Sequence, residues 1–256
     1  AAIIAISPKQ KQELAEEFRI CNPEKIHVIP LGFDLSRFQT NLSDKRINFR
    51  DSFNVDKDAI AIGIIGRLVP IKNHRMFIKA IHRVLNSVTA NLRFFIVGDG
   101  ESRDELWDLA NDLNITVRYK SEGPIPVKGI EFTSWITDVD RVLAGLDIVC
   151  LTSYNEGTPV SLIEAQAVGR AIVSTRVGGV EDVVRENETA LLCKSDDFKT
   201  FANLIVQLIE NDQTRERLAM NGPDKVEERY GYKRLVHEIT GLYLDKLKIH
   251  TEIQTG

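Results

Sequence analysis

The sequence predicts a doubly wound α/β fold built on a parallel sheet, and two observations support this prediction. From residue 59 onward, short apolar runs rich in β-branched residues alternate with stretches of helical period, which is the order of βαβ units. The composition, with 43% apolar and 27% charged side chains, is close to that of an average globular protein. At 256 residues the chain forms one large domain or two small ones, either with a substantial core.

Six apolar runs are predicted to be strands of this sheet, the last of them a shorter edge strand. They comprise residues 59–65, 92–97, 115–119, 147–152, 171–175 and 190–193. Residues 74–85 and 103–113 carry their apolar side chains on one face, so both are predicted to be helices that cover the sheet. Three further helices are predicted in the charged C-terminal part, at residues 198–209, 213–220 and 232–247.

The segments outside this alternating pattern are predicted separately. The first six residues form an apolar run, Ser7 and Pro8 suit the N-cap and the first position of a helix, and residues 25–31 form another strand. The loop from Ser121 to Gly129 is rich in turn formers, and we expect it to be a surface loop or the tip of a hairpin that ends at residues 130–132.

Charge, hydropathy and cysteine content exclude several classes of protein. With 33 Lys and Arg against 37 Asp and Glu, the formal charge of −4 leaves no excess of cations for a nucleic-acid backbone. No stretch approaches the roughly 20 apolar residues of a membrane span, so a cytoplasmic chain is expected. Three widely spaced cysteines encode neither a disulfide framework nor a zinc site, and five histidines form no metal-ligand pattern.

The most informative stretch is the loop that follows the predicted strand 147–152. In open parallel sheets, ligands bind at the carboxyl ends of the strands, and the N-terminus of the next helix offers unpaired N–H groups to an anion. Here Gly157 allows close approach to the backbone, Thr158 suits the N-cap, and Pro159 suits the first helical position. Glu156 and Glu164 flank this helix start and are expected to bind two ends of one elongated ligand.

A second candidate site follows the predicted strand 59–65. Gly66 and Arg67 come directly after this strand, and Lys72 lies five residues beyond the arginine. A planar bidentate donor and a compact charge together suit a diphosphate. A solvated basic loop is the alternative interpretation, and spacing by itself leaves both open.

Two other motifs resemble ligand sites but are interpreted structurally. Residues 98–101 suggest a dinucleotide fingerprint, yet Arg103 stands where its third glycine is expected, so a tight turn is predicted. Asp138 and Asp140 could be taken for a metal-binding pair, but we interpret them as the N-cap and first turn of a short helix.

Taken in order and spacing, these motifs resemble the retaining GT-B glycosyltransferases of family 4, also called glycosyl transferases group 1. The resemblance covers nearly the whole chain and rests on residues 24–34, 66–68 with Lys72, 97–100, 144–153, 156–165 and 177–184. It implies a Rossmann-like domain that corresponds to the C-terminal half of a GT-B fold. It also implies that the ligand is a nucleotide-sugar, with a UDP-sugar as the expected donor.

The resemblance assigns a role to each candidate residue. Arg67 and Lys72, next to Gly66, would hold the donor diphosphate, and Glu164 would accept hydrogen bonds from the ribose hydroxyls. Glu156 and the backbone amides of the following residues would hold the donor sugar or the distal phosphate; these residues are Gly157, Thr158, Pro159 and Val160. The base would lie near Trp135 and Ile136. No cofactor and no metal is expected, because the cations and helix amides carry the developing charge.

The resemblance also implies a domain organisation. Members of the family have two Rossmann-like domains, so residues 1–31 are expected to be the end of the first domain with a linker-like segment, and residues 32–256 the donor-binding domain. The N-terminal acceptor domain would then be absent. A fragment of this kind is expected to bind nucleotide but to be inactive alone. Its acceptor would be a glycan, a lipid or a small molecule, and its location cytoplasmic or peripheral at the inner membrane face.

Two other functions remain open from the sequence. The chain could be a GT-B-fold sugar epimerase or phosphorylase, or a non-catalytic module that binds nucleotides or proteins. The intact set of Arg67, Lys72, Glu156 and Glu164 favours transfer over a degenerate module. A nicotinamide-dependent oxidoreductase is disfavoured by the incomplete glycine fingerprint.

Overall fold

The computed structural model describes residues 2–120, 122 and 128–254, with side chains described up to Leu247. The chain divides into two compact units, one of residues 36–223 and one of residues 1–35 together with 224–256. This division differs from the sequence-based one, which kept the C-terminal helices with the main domain. The reason is a contact between segments far apart in the sequence: Phe33 exchanges backbone hydrogen bonds with Tyr230 and Tyr232, at 2.7 and 3.0 Å.

The smaller unit begins with two short parallel strands, β1 (Ile3–Ala5) and β2 (Ile26–Val28). Helix α1 (Pro8–Gln12) lies between them and continues as a π-helical turn. As predicted, Ser7 caps α1, since its side chain accepts a hydrogen bond from the amide of Gln10. The predicted strand 25–31 is shorter than expected, because a 3-10 turn, Pro23–Lys25, occupies its start.

The larger unit contains a parallel sheet with seven strands in the described part of the chain. In chain order they are β3 (Ile60–Ile65), β4 (Leu92–Val97), β5 (Val117–Tyr119), β6 (Ile130–Ser134), β7 (Ile148–Leu151), β8 (Ala171–Thr175) and β9 (Ala190–Cys193). Their order across the sheet is β5-β6-β4-β3-β7-β8-β9, and every neighbouring pair is parallel. The doubly wound α/β fold predicted from the sequence is confirmed.

This strand order fixes where a ligand site is expected. The chain leaves β3 toward β4 on one side of the sheet, and later returns to place β7 on the other side of β3. The loops after β3 and β7 therefore run in opposite directions and open a crevice between them. In open α/β sheets, this topological switch point is the usual place for ligands.

Helices pack on both faces of the sheet and bury an apolar core. They are α2 (Leu42–Ser52), α3 (His74–Leu85), α4 (Arg103–Asp112), α5 (Val139–Gly145), α6 (Val160–Ala167), α7 (Val180–Val183), α8 (Phe198–Glu210) and α9 (Asp212–Met220). Two further helices, α10 (Gly222–Tyr230) and α11 (Tyr232–Gln254), follow. Phe77, Phe94 and Phe201, on α3, β4 and α8, are fully buried in the core. None of the described helices is both long and apolar enough to cross a bilayer.

Three elements differ from their prediction. Residues 130–134 form a parallel strand between β5 and β4, so the hairpin prediction was wrong. Residues 42–52 form a helix that the sequence did not predict, and α10 lies between the predicted helices 213–220 and 232–247, where no helix was predicted. Most of the predicted loop from Ser121 to Gly129, namely residues 121 and 123–127, lies outside the described residues.

Buried charges explain why β6 and α2 were missed. Glu131 on β6 is completely buried and forms an ion pair with Arg118 on β5, so this strand is polar in sequence yet internal in the fold. On α2, Arg46 and Arg50 both reach the carboxylate of Asp147, at 2.7 and 3.3 Å. These contacts join residues far apart in the sequence and leave no periodic signal.

Candidate functional site

The loops that follow β3 and β7 are joined by backbone and side-chain hydrogen bonds. The amide of Tyr154 donates to the carbonyl of Ile71 at 2.8 Å, and the hydroxyl of Thr152 donates to the carbonyl of Lys72 at 3.0 Å. The turn that carries Lys72 is therefore attached to the end of the neighbouring strand. The two segments that the sequence singled out, around residues 66–72 and 152–160, meet at the switch point of the sheet.

An ion pair lies at the centre of this junction. The ammonium of Lys72 is 2.7 Å from Oε1 of Glu156, and the hydroxyl of Ser153 donates to the same oxygen. The Glu156 side chain is only 9% exposed, whereas that of Lys72 is 29% exposed. Both contacts therefore fix a nearly buried carboxylate through one oxygen. Sequence reasoning missed Ser153, whose position three residues before Glu156 was the available signal.

A glycine pair after β8 supports the backbone of this loop. The amide of Gly179 donates to the carbonyl of Glu156 at 2.9 Å. A Cβ on Gly179 would lie 1.8 Å from the carbonyl oxygen of Gly157, and Gly178 has a left-handed φ of 51°. Side chains at these two positions would push the loop away, so the turn requires glycine. This contribution from β8 was not among the predicted site residues.

The loop after β3 is supported on its other side by the turn after β4. The amide of Gly66 donates to the carbonyl of Val97 at 2.9 Å, and the amide of Leu68 donates to the carbonyl of Asp99 at 3.0 Å. A Cβ on Gly98 would lie 2.0 Å from the Gly66 oxygen. The tight turn predicted at residues 98–101 thus holds the start of the cationic loop in place.

Arg67 differs from Lys72 in its surroundings. The Arg67 side chain is exposed, and within the described part of the chain no hydrogen bond or ion pair engages its guanidinium. The Cβ positions of Gly66 and Gly157 face open space, since no heavy atom lies within 4 Å of either. The crevice is therefore accessible at both glycines, with one free cation and one paired cation beside it.

Helix α6 begins one residue later than the sequence predicted. Its first residue is Val160, and Pro159 occupies the N-cap position without a side-chain hydrogen bond. The predicted capping by Thr158 was wrong, because proline precedes the first helical residue and the threonine lies outside the cap. The first amides of α6, those of Val160 and Ser161, accordingly receive no side-chain cap and are open to a ligand anion.

Glu164 lies on α6 and is half-buried. Burial raises its pKa to about 7, the nearby Arg37 opposes this shift, and Asp140 adds to it. As predicted, Asp138 occupies the N-cap position of α5 and Asp140 lies in its first turn. The side chain of Asp138 makes no capping hydrogen bond, and Asp140 forms an ion pair with Lys45 at 2.9 Å. Burial thus moves the titration of Glu164 from the usual acidic range toward neutral pH.

Trp135 and Ile136 follow β6 at the same edge of the sheet. Trp135 is 59% exposed, and Ile136 is half-buried. Ser134, the residue before them, has a left-handed φ of 59°, and its hydroxyl donates to Asp99 at 2.9 Å. This bond fixes the backbone at the end of β6, directly before the exposed indole of Trp135.

The sequence of this larger unit also matches a family model. The model of the glycosyl transferases group 1 family aligns with residues 45–225, which include all of the site residues described above. The chain belongs to the glycosyl transferases group 1 family. As in the sequence-based resemblance, the matched residues include the cationic loop after β3 and the acidic loop after β7.

Curated relatives of this group 1 chain carry transferase names. This chain is 25% identical over 245 residues to the UDP-Gal:alpha-D-GlcNAc-diphosphoundecaprenol alpha-1,3-galactosyltransferase of Escherichia coli. The match covers 95% of this chain and 60% of that protein. It is 27% identical over 250 residues to the D-inositol 3-phosphate glycosyltransferase of Corynebacterium efficiens, covering 95% of the chain and 56% of that protein. The chain thus spans little more than half the length of these relatives.

Solved structures share the fold of this group 1 chain. The structure of Anabaena HepE in complex with UDP superposes with a TM-score of 0.81 and 23% identity, over 95% of this chain and 64% of that one. At this identity the similarity establishes the fold.

Proposed function

We propose that this chain is the donor-binding part of a retaining glycosyltransferase that uses a UDP-sugar. The observation that carries the proposal is the convergence of Arg67, Lys72, Glu156 and the uncapped start of α6 at the switch point between β3 and β7. Cations, a helix N-terminus and fixed carboxylates together suit a ligand that joins a sugar to a diphosphate.

The two cations divide the binding of the diphosphate. Arg67 is exposed and offers a planar set of donors that matches two phosphate oxygens. Lys72 is held 2.7 Å from Glu156 and presents its ammonium from a fixed position. The open faces of Gly66 and Gly157 allow phosphate oxygens to approach the backbone between them.

Transfer breaks the bond between the anomeric carbon and the diphosphate oxygen and forms a bond between that carbon and an acceptor hydroxyl oxygen, whose proton leaves with the diphosphate. Positive charge then develops on the sugar ring, and negative charge develops on the leaving phosphate. Arg67, Lys72 and the first amides of α6 stabilise the leaving group, and removal of one such donor costs roughly 10²-fold in rate. Glu156 orients the sugar and stabilises its positive charge; its Oε1 is already bonded to Lys72 and Ser153, which suits a fixed carboxylate better than a nucleophile.

The nucleoside is held by the remaining residues of the crevice. Glu164 in its ionised form accepts hydrogen bonds from both ribose hydroxyls, and the base lies against the backbone of Trp135 and Ile136. Uracil is the proposed base because a related enzyme from Escherichia coli is named for UDP-Gal and Anabaena HepE was solved with UDP. The proposed acceptor is a glycan, a lipid or a small molecule. Because the chain spans little more than half the length of its curated relatives, transfer by this chain alone is expected to be inefficient.

Calorimetric titration with UDP, GDP, ADP and NAD, with and without Mg²⁺, tests the proposal. We expect UDP to bind without added metal, and Arg67→Ala and Lys72→Ala each to weaken it by roughly 10- to 100-fold, the value of one charge-assisted hydrogen bond. Lys79→Ala is the matched control, since Lys79 is an exposed lysine on α3. Equal UDP affinity in all three variants would exclude the phosphate assignment.

A further inference from the structure

Asp196, in the loop after β9, lies beside the turn that carries Lys72. Its carboxylate accepts a hydrogen bond from the side-chain amide of Asn73 at 3.2 Å, and this bond joins positions 123 residues apart. Across the sheet, β7 and β8 separate β9 from β3. The loop after β9 therefore reaches past two strands to contact the residue that follows Lys72.

Asn73 is the hinge between the Lys72 turn and α3. It ends the 3-10 turn Pro70–Lys72 and is the N-cap of α3, with a left-handed φ of 49°. Its side-chain oxygen accepts a hydrogen bond from the amide of Met76, and its side-chain nitrogen donates to Asp196. A left-handed conformation in a residue other than glycine costs free energy and persists only where the surroundings hold it. The two side-chain bonds provide that support at Asn73.

The bond to Asp196 matters because Asn73 is buried. Only 5% of Asn73 is exposed, so solvent offers its amide little replacement for a lost partner. A buried donor without a partner costs more free energy than the hydrogen bond itself contributes. Asp196 also has a left-handed φ of 63°, which aspartate and asparagine adopt more readily than most other side chains. An aspartate thus combines the backbone conformation of this loop with the acceptor that Asn73 requires.

A second loop of the candidate site contacts the same carboxylate. The pKa of the Tyr154 phenol is raised above its usual value, first by hydrogen bonding to Asp196 and then by burial, and the charge of Arg75 acts in the opposite direction. The backbone amide of Tyr154 donates to the carbonyl of Ile71 at 2.8 Å. Asp196 therefore adjoins both loops that meet at the switch point of the sheet.

We propose that Asp196 is a positioning residue that holds the Asn73 hinge, and so fixes the Lys72 ammonium beside Glu156 for the donor diphosphate. This inference rests on the proposed function of the crevice. Asp196 acts through Asn73 and the turn before it, not by contact with the ligand. The turn is then anchored from two sides, at its carbonyls by the loop after β7 and at its end by the loop after β9.

Two substitutions separate the side chain of Asp196 from its backbone conformation. Glycine adopts a φ of 63° without strain, so Asp196→Gly removes the carboxylate without straining the loop. Asp196→Asn keeps an acceptor oxygen for Asn73 and tolerates the same φ. We expect Asp196→Gly to weaken UDP binding about three- to tenfold, the value of one hydrogen bond, and Asp196→Asn to stay within about twofold of the parent. Both variants should bind uridine, which has no phosphate, as the parent does.

Asn187→Gly is the matched control for the glycine substitution. Asn187 is exposed and has a left-handed φ of 62°, and it precedes the amino end of β9, whereas Asp196 follows the carboxyl end. Asn187→Gly should leave UDP affinity unchanged, because it adds the same backbone freedom away from the crevice. In a Lys72→Ala background, Asp196→Gly should have no further effect on UDP, because the group that it positions is gone.

Hydrogen exchange of backbone amides tests the hinge without reference to any nucleotide. The amide of Asn73 donates to the carbonyl of Pro70, and the amide of Met76 donates to the carbonyl of Asn73, both at 3.0 Å. Both amides should exchange about three- to tenfold faster in Asp196→Gly than in the parent, because local opening of the hinge becomes easier. They should exchange at the parental rate in Asp196→Asn and Asn187→Gly. Parental exchange in Asp196→Gly would overturn the inference, whatever the chain binds.

The binding outcomes separate this inference from the proposed function. Failure of the unsubstituted chain to bind UDP refutes the proposed function, and amide exchange then decides whether Asp196 holds the hinge. The positioning role alone is refuted by unchanged UDP affinity in Asp196→Gly or by an equal loss for UDP and uridine. An equal loss in Asp196→Asn, or an equal loss in the Lys72→Ala background, refutes it as well.

Discussion

Glu164→Gln changes the one site carboxylate whose protonation lies near neutral pH. Burial raises the pKa of Glu164 to about 7, Arg37 acts against the shift, and Asp140 acts with it. Glutamine keeps the shape of the side chain but has no charge to desolvate. We therefore expect the substitution to stabilise the folded chain at high pH and to weaken nucleoside binding there.

The magnitude follows from the difference between the folded and unfolded pKa. A rise from 4.5 to about 7 corresponds to about 3 kcal/mol of unfavourable free energy in the ionised folded state. Because the folded pKa is the higher one, the stabilising contribution of protonated Glu164 is fully present below about pH 4.5 and is lost as the pH rises through about 7. Glu164→Gln should be up to about 3 kcal/mol more stable than the parent at pH 8 and equal to it at pH 4.5.

Uridine affinity of the parent should rise with pH, opposite to the contribution of Glu164 to stability, which falls with pH. In the proposed function, ribose hydroxyls donate to the ionised carboxylate of Glu164. With a pKa of about 7, this ionised form makes up about one tenth of the molecules at pH 6 and about nine tenths at pH 8. Uridine affinity should therefore rise up to about tenfold from pH 6 to pH 8 in the parent, and stay low and flat in Glu164→Gln. Uridine is used because it has no phosphate that titrates in this range.

Denaturant unfolding and calorimetry at several pH values provide both readouts. Glu216→Gln is the matched control, since Glu216 is exposed on α9, and should change stability by less than about 0.5 kcal/mol at any pH. A variant that is no more stable than the parent at pH 8 would refute the desolvation of Glu164. Parent-like uridine affinity in the variant would refute the ribose contact while leaving the desolvation intact.

Three further substitutions test the parts of the fold that position the site. Glu131→Gln leaves Arg118 buried without its charge partner and should cost about 3–5 kcal/mol in denaturant unfolding. Gly98→Ala places a Cβ 2.0 Å from the Gly66 oxygen. This substitution should abolish UDP binding in calorimetry while the chain remains folded. Trp135→Ala should weaken both UDP and uridine about tenfold, and UDP should quench the fluorescence of the parent's exposed indole.

Each of these three substitutions has a matched control. Glu105→Gln breaks an exposed ion pair and should cost less than about 1 kcal/mol. Gly241→Ala adds a methyl group to open space within α11 and should stabilise the helix by up to about 1 kcal/mol. Trp107→Phe removes the other indole and should leave the UDP-dependent quenching intact. Equal effects in a test variant and its control would contradict the corresponding prediction.

The elements that could be predicted are those that bury a regular pattern of apolar residues within their own sequence. β4, β8 and β9 have the predicted bounds, and α3 coincides with residues 74–85, because each buries apolar side chains along its own length. β6 carries a buried Glu131 and alternates with polar residues, so its sequence resembles a half-exposed hairpin strand. Its burial depends on Arg118, which no short window of sequence contains.

The candidate site shows the same division between local and distant information. Arg67, Lys72, Glu156 and Glu164 could be found because they follow strand ends and helix starts in recognisable motifs. The pairing of Lys72 with Glu156 joins positions 84 residues apart, and only the strand order brings them together. The late start of α6 was missed for a local reason, because Thr158 and Pro159 each fit two adjacent positions at a helix N-terminus.

In the proposed function, the unequal surroundings of Arg67 and Lys72 divide substrate binding from catalysis between the two cations. Arg67 is exposed and has no ion-pair partner among the described residues, so in the proposed function a diphosphate would gain the full attraction of its guanidinium as soon as it binds. Lys72 already neutralises Glu156 at 2.7 Å and must share its charge between that carboxylate and the ligand. Its attraction to the phosphate grows as the glycosidic bond breaks and negative charge accumulates on the leaving oxygen, because the phosphate then competes more strongly with Glu156. Arg67 should accordingly contribute most to ground-state affinity, and Lys72 most to the transition state, which is the contribution that raises the rate.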